Sequence, residues 1–589
     1  MIRFVRLSRL AYKRSMRRLI RSETALLIVL GSVVGIATGF AAVGFIWLIQ
    51  NAKELFFGKS LFFLNHMVTH GEYWVVIIPA IGGALAGPII YKFAREAKGH
   101  GVPEVMESVA LKGGLIRPRV ALAKSIASAL CIGSGGSAGR EGPIIQIGST
   151  LGSVIGQLFR MSSSRVTTLV GCGAAAGISA VFNAPIAGVI FSLEIILGDF
   201  AIKTFSPVIF SSVIASVVSR AFLGDSPAFA VPAYSLISAW EIPLYIGLGV
   251  VGAFVALAFT HSLYFAEDRF DALKIPGPVK PILGGLAVGA IGLFFPQVFA
   301  DGYETIRNAL HGQLPIFILG VLILLKIAAT SFTLGSGNSG GIFAPSLFMG
   351  AVAGGLYGEL VHYLFPSVTA SSGAYALVGM AAVVSGTTHA PITALLIIFE
   401  MTGDYRIILP LMIVVVLSTL VARRITGESI YTLKLVRRNI RLRGGRDANI
   451  MESIKVSEVM EDDYEAIRDI TPLQQIFSIM QSSRSSFFPV VDYKGHIVGT
   501  LSFQDVRTII LDKPEIDALV IAQDICHPHP PSLYLDDSLD KAVQKLALRD
   551  LEFLPVVAPD ESQKLIGILK KSDIFRHYHR KLLEKMAQS

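Results

Sequence analysis

From about residue 24 to residue 430, apolar blocks follow one another along the chain, separated only by short polar or glycine- and proline-rich breaks. A helix needs about 20 apolar residues to cross a hydrocarbon layer of ~30 Å. Eight blocks are of about that length: 24–49, 73–94, 165–181, 203–222, 240–264, 278–298, 315–333 and 405–422. Others, at 119–132, 143–159, 184–197, 343–364 and 374–400, are too short or too broken for a simple crossing. Such helices are tolerated at membrane depth only where protein buries them or where they line a polar path. The pattern predicts a polytopic transporter or channel and argues against a simple receptor bundle. After about residue 450 the periodicity changes. Phe488 to Val491 and Ile497 to Leu501 read as strands, and 471–482 and 538–549 read as amphipathic helices.

Both regions are duplicated. Residues 133–156 read GSGGSAGREGPIIQIGSTLGSVIG and residues 335–358 read GSGNSGGIFAPSLFMGAVAGGLYG, so nine glycine, serine and proline positions recur at one constant spacing. The likeness continues from NAPIAGVIFSLE (183–194) to HAPITALLIIFE (389–400), pairing Glu194 with Glu400. Two related membrane halves commonly build an ion site where they meet; the sequence leaves open whether the second half is inverted. In the tail, 486–506 resembles 552–574, which predicts two small α/β modules in tandem.

Composition supports a membrane protein. Hydrophobic residues make up 52% and charged residues 16%, against about 25% charged in soluble domains. The three cysteines, Cys131, Cys172 and Cys526, show no paired spacing, so neither a disulfide framework nor a metal site is expected. The formal charge of +9 is concentrated next to apolar spans and does not mark a nucleic-acid partner. Eight basic residues and no acid lie in 1–22, and a second basic run extends from Lys434 to Arg446. Lysine and arginine flank spans on the cytoplasmic side, so both termini are expected there, in a plasma (inner) membrane. The first apolar stretch is too long for a signal peptide.

An anion in a membrane needs donors that replace its water without a full opposite charge that would trap it. Backbone N–H groups at helix N-termini supply them. Gly139-Arg140-Glu141-Gly142-Pro143 and Gly341-Ile342-Phe343-Ala344-Pro345 each lead from a glycine turn into an apolar helix, with proline near its start. Glu141 stands out, because a carboxylate at such a turn mimics the anion and could gate the path; intramembrane acids are costly and functional by default. The bland alternative is a structural ion pair with Arg140. Gly135 to Gly139 also fits a hydrolase elbow and Gly335 to Gly340 a dinucleotide fingerprint. Neither lies in the strand–helix context those motifs require, so no enzyme is expected. The spacing of Gly31, Gly35 and Gly39 predicts close helix contact.

GREGP (139–143), GIFAP (341–345) and GHGVPE (99–104), with Ser429-Ile430-Tyr431 after the last span, resemble the CLC family of chloride channels and chloride/proton antiporters with a C-terminal pair of CBS domains. The resemblance covers about 24–580. It implies an all-α membrane domain in two related halves and a homodimer with one chloride pathway per subunit in the lipid bilayer. It also implies that Glu141 is the gating glutamate and that the amides of Ile342 and Phe343 bind the central anion. The Tyr431 hydroxyl would close that site on the inner side, and the amides around Arg140, Glu141 and Gly142 would form an outer one. In the tail, Ser502 and Asp505 resemble the CBS element that holds a nucleotide ribose. The second module keeps Asp573 but has Lys570 where serine or threonine is expected. No cofactor is required, and an adenine nucleotide or a purely dimerising scaffold are both open.

Two departures matter. His100 replaces the family's usual serine in the first filter motif, adding a hydrogen-bond donor and pH sensitivity if it faces the anion. Ile195 occupies the position where the family's antiporters carry a proton-transfer glutamate, which favours a passive channel over an antiporter. A membrane-anchored nucleotide sensor is the reading from another class. The expected organisation is a basic N-terminus (1–23), an anion-pathway domain (24–432), a basic linker (433–455) and two CBS domains (456–516 and 517–582).

Overall fold

The computed structural model describes residues 23–58, 73–225, 229, 231, 232, 234, 236–440, 451, 454–483, 485–506, 520–549, 551–558 and 563–587. The basic run 1–22 and most of the linker lie outside the described residues. Two compact units divide at Ile440 and Arg441.

The first unit is helical. Its helices are α1 (Glu23–Phe57), α2 (Ile78–Phe93), α3 (Val102–Leu111), α4 (Arg119–Gly133), α5 (Glu141–Leu158), α6 (Ser163–Phe182), α7 (Pro185–Phe191), α8 (Ile202–Leu223) and α9 (Glu241–Ala272). They continue as α10 (Lys280–Phe294), α11 (Tyr303–Leu310), α12 (Ile316–Gly335), α13 (Phe343–Leu364), α14 (Ser372–Thr388), α15 (Pro391–Thr402), α16 (Ile408–Thr426) and α17 (Ile430–Val436). Among the described residues, eight helices are long and apolar enough to cross a membrane, and each corresponds to one of the eight expected blocks. Trp47, Phe254, Leu324 and Leu420 on these helices are more than half exposed. Water would not tolerate so much open apolar surface, but lipid does. The protein is an integral, multi-pass membrane protein. At 35 and 32 residues, α1 and α9 are about 50 Å long and exceed the thickness of the hydrocarbon layer, so they tilt or project beyond it.

The broken segments resolve unevenly. The stretch 343–364, expected to be short or interrupted, is one continuous helix, α13. Its distinction is burial, for every residue from Phe343 to Gly355 is enclosed by protein. The stretch 374–400 does break, at His389 (φ 56°), into α14 and α15. The stretch 184–197 is α7 followed by a π-helical turn, Ser192–Leu197, which carries Glu194.

The orientation question left open by the sequence is answered where the copies meet. Gly139 and Gly341, equivalent residues of the two repeats, form an antiparallel bridge, with N–H to O=C distances of 2.8 and 2.6 Å in the two directions. Equivalent residues that pair reciprocally and antiparallel are related by a local two-fold axis, so the copies run in opposite senses there. The same exchange recurs further out. Both Glu194 oxygens accept from the first amides of α15, Ile392 N at 3.3 Å and Thr393 N at 2.8 Å. Glu400 in turn accepts from the first amides of α7, Ile186 N at 3.0 Å and Ala187 N at 2.7 Å. Each half thus caps a helix of the other with a carboxylate, which suits the partial positive charge of a helix N-terminus. Small residues permit this closeness. Gly35 on α1 lies so near α8 that a Cβ would stand 2.5 Å from the Ser211 carbonyl oxygen, and Gly31 and Gly39 meet the same helix.

The second unit holds a four-stranded sheet, β1 (Ile467–Arg468), β2 (Phe487–Val491), β3 (Ile497–Ser502) and β4 (His527–Pro528), with helix α18 (Leu473–Ser482) between β1 and β2. Helix α19 (Ala522–Ile525) precedes β4, and α20 (Leu539–Arg549) precedes a hairpin of β5 (Phe553–Val557) and β6 (Leu565–Lys570), followed by α21 (Lys571–Ala587). The two hairpins carry a register shift at equivalent places, Val490/Val491 and Val556/Val557, as a duplication requires. Packing crosses the linear division expected at 516/517. Ile454, Val456 and Val459 join the core around Leu554 and Leu569, whereas Ala522 and Cys526 join the core around Phe488 and Leu501.

Replacing Glu400 by alanine removes the cap on α7 and leaves two amides without their acceptor. The expected cost is about 2 kcal/mol, measurable as a lowered thermal unfolding temperature of the purified protein in detergent.

Candidate functional site

Three loops are tied together by backbone bonds at the meeting point of the halves. Gly99 N–H donates to the Asn338 carbonyl at 3.0 Å and Gly340 N–H to the Gly99 carbonyl at 3.3 Å, beside the Gly139–Gly341 pair. The glycines are required by space. A Cβ on Gly142 would strike the His100 carbonyl oxygen, and one on Gly139 would strike the Glu141 carboxylate. His100 itself sits between Gly99 (φ 75°) and Gly101 (φ 83°), left-handed conformations that cost glycine almost nothing.

Two helices begin at this knot. Glu141 opens α5, and Phe343, after Ile342 at the cap position, opens α13. Glu141 does not stay at its own helix start. Its side chain is fully buried, with Oε2 placed 3.4 Å from the Ala344 amide nitrogen in the first turn of α13, and Oε1 accepts from the Tyr303 hydroxyl at 2.8 Å. A carboxylate of one repeat therefore stands at the amide-rich end of the other repeat's helix, where the dipole favours negative charge. Arg140 turns aside, with its guanidinium 4.9 Å from the centre of the Tyr303 ring. Among the described residues, Arg140 forms no ion pair with Glu141. Tyr303, Arg140, Phe182 and Asn183 line a cavity of about 370 Å³.

On the other side of the knot, the His100 ring is 3% exposed, and neither ring nitrogen has a hydrogen-bond partner among the described residues. It faces the Tyr431 ring with centroids 5.7 Å apart. Buried polar groups are nearly always paired, so two free imidazole nitrogens in an enclosed position point to a ligand. Tyr431 lies in the first turn of α17, held by a Ser429/Thr432 capping box and by the Tyr264 hydroxyl on the Ile430 carbonyl at 2.5 Å. The structure thus brings His100 against Gly142 and Tyr431 and Glu141 against the first turn of α13, which follows Ile342 and begins at Phe343, while Arg140 points to Tyr303.

Sequence reasoning missed three residues, Lys124, Lys326 and Tyr303. Lys124 is fully buried, and its ammonium donates to the carbonyls of Ala97 at 3.1 Å and Gly99 at 2.7 Å, holding the loop that carries His100. Lys326, its equivalent in the second repeat, holds the Val298 and Ala300 carbonyls in the same manner. Lysines recurring at the repeat spacing inside apolar helices were a readable signal. Tyr303 lies outside the recognised repeat segments, and no such signal marked it.

In the second unit, Ser502 Oγ donates to Asp505 Oδ2 at 2.6 Å, and His527 Nε2 lies 3.1 Å from Asp505 Oδ1. Asp573 is buried and lies 3.2 Å from Arg576. Burial, with Glu461 nearby, holds its carboxyl above the ordinary carboxylate range.

Comparison with known proteins assigns this arrangement. The sequence profile of the voltage-gated chloride channel family matches residues 82–423, which include GHGVPE, GREGP and GIFAP. The chain belongs to the CLC family. Two matches to the CBS domain cover 456–512 and 522–580. A ClcB-like protein of Ralstonia nicotianae is 35% identical over 370 residues, covering 62% of this chain and 86% of that one. The chloride channel protein CLC-f of Arabidopsis thaliana is 29% identical over 641 residues, covering 94% of this chain and 80% of that one. Among solved structures, a slow cyanobacterial chloride/proton antiporter superposes with a TM-score of 0.64 at 28% identity, covering 70% of this chain and 97% of that one. Of these three, the two sequence relatives are named as chloride channel proteins and the solved structure as an antiporter.

Because the Gly142 Cα abuts the backbone of both His100 and Gly341, Gly142→Ala in this CLC chain should prise the loops apart at a cost of about 3 kcal/mol. Loss of the monodisperse peak in detergent size-exclusion chromatography would register it.

Proposed function

We propose that this protein passes chloride or similar small anions across its membrane, with Glu141 as the gate. The observation that carries this reading is the Glu141 carboxylate seated at the first turn of α13, close to the α13 amides where an anion would bind. When the carboxylate is displaced or protonated and leaves Ala344, the start of α13 loses its negative charge and the neighbouring amides of Ile342 and Phe343 hold the ion, with His100 and Tyr431 on its inner side and the Arg140–Gly142 turn on its outer side. Lys124 serves the loop that carries His100, since two of its three donors go to the Ala97 and Gly99 carbonyls.

The favoured mode is a passive channel. Glu194 is committed to capping α15, and its neighbour Ile195 cannot carry a proton. Chloride/proton antiport on the same scaffold is the second reading, supported by the likeness to the cyanobacterial antiporter. The membrane-anchored sensor reading is the weakest, because it leaves the buried Glu141 and the unpaired His100 without a purpose. We further infer a homodimer with one pathway per subunit and cytoplasmic termini in a plasma (inner) membrane, by analogy with the family. An adenine nucleotide at the CBS pair would have to compete with His527 for Asp505, so a scaffold role for the tail is favoured.

Reconstituted in liposomes, the protein should release chloride, and its reversal potential should stay at the chloride equilibrium potential when a pH gradient is imposed. A proton-dependent shift would establish the antiporter instead, and no flux would overturn the assignment. Gly139→Ala should raise flux several-fold, because its methyl group meets chiefly the movable end of Glu141. Glu141→Ala should do so more strongly; unaltered flux in Glu141→Ala would remove Glu141 from the gate.

A further inference from the structure

Two donors from elsewhere in the fold reach the Glu141 carboxylate in its buried position, and they are unequal. The Ala344 amide contact, at 3.4 Å, lies beyond the usual N–H···O range, whereas the Tyr303 hydroxyl, at 2.8 Å, is at ordinary hydrogen-bond distance. A hydroxyl bonded to an ionised carboxylate in a water-poor site is among the stronger hydrogen bonds a protein makes. Tyr303 is also well braced. Phe229 meets its ring edge-on at 5.3 Å, and the Arg140 guanidinium lies over it at 4.9 Å. Its backbone is set by Gly302 (φ 77°), which starts α11 and packs against Phe348. The cation over the ring draws electron density from it, making the hydroxyl a better donor. Tyr303 stands on the wall of the 370 Å³ cavity, so it lies between that space and the carboxylate.

We infer that Tyr303 is the latch of the gate: its hydroxyl, held in place by Phe229 and Arg140, keeps Glu141 seated on the end of α13 and sets how often the pathway opens. This rests on the gating reading of Glu141. Tyr303 is a positioning residue, acting on the anion only through Glu141. Tyr303 and Phe229 belong to neither recognised repeat segment and Arg140 belongs to the first, so the latch acts on one copy alone. That asymmetry is what a gate needs. The equivalent position in the second repeat holds Phe343, which has no charge to secure.

The test is a double-mutant cycle in chloride efflux from liposomes, using the full-length protein. Y303F keeps the ring that Phe229 and Arg140 contact and removes only the donor. In the wild-type background it should raise efflux about tenfold, the usual loss for one hydrogen bond to a charged group. In the E141A background, where nothing remains to latch, Y303F should leave efflux within about twofold. Equal rises in both backgrounds would show a general loosening of the pathway and overturn the latch. No change from Y303F, with E141A still altering efflux, would overturn the latch while leaving the gate in place. No change from E141A would overturn both. F229L, which slackens the ring's support but keeps its hydroxyl, should raise efflux in the same direction by a smaller factor, again only where Glu141 is present.

Discussion

Everything at the candidate site depends on one pair of backbone hydrogen bonds, those between Gly139 and Gly341. They join the two halves at equivalent residues, and they bring the start of α5 to the start of α13. Both helix ends are then buried, with amides that have no intrahelical acceptor. A buried helix end without a partner is expensive, and in lipid no water reaches it. The fold therefore creates a demand for negative charge at its centre. Glu141 meets that demand in the structure from the side of Ala344, and in the proposed mechanism an anion on the neighbouring amides of Ile342 and Phe343 meets it in turn.

The periphery follows the same exchange rule with a different purpose. Glu194 and Glu400 also place carboxylates on helix starts of the opposite half. Their positions are matched by symmetry, so neither copy is distinguished from the other. Glu141 has no such counterpart, because Phe343 occupies the equivalent place. Reciprocal carboxylates fasten the halves, and the unpaired one is left free for function. Lys124 and Lys326 again belong to the fastening set, each spending its donors on two carbonyls of a loop.

Much of this was legible in the sequence because it rests on composition and repetition. The eight crossing helices are long apolar runs, and such runs have few alternatives in a membrane. The importance of Glu141 could be read from a carboxylate inside a glycine turn. Its destination could not, since nothing in GREGP shows that the side chain crosses to Ala344. The opposed sense of the two copies was likewise invisible, because similarity between segments carries no direction in space. The continuity of α13 was misjudged from its glycines. Those glycines mark a surface where α14 comes close, and Gly350 and Gly354 meet the backbone at Gly379 and Tyr375. The packing of Ile454 and Val456 with the second CBS core, and of Ala522 with the first, defied a linear boundary for a similar reason. Contacts distant in sequence leave no local pattern.

The asymmetry between the copies also bears on proton coupling. Coupled antiport needs a second titratable group, on the inner side, that can exchange protons with the gate. The nearest carboxylate in the chain to that place is Glu194, one residue before Ile195. Its two oxygens already accept from Ile392, Thr393 and the Thr393 hydroxyl at 2.7 Å. Glu194 therefore serves the joint between the halves at the start of α15, with both oxygens already engaged there. The side chain that could relay protons is thus committed to holding the fold, and the one beside it is a hydrocarbon. In the proposed mechanism, anion passage needs the Glu141 carboxylate to move and no second carboxylate to follow it.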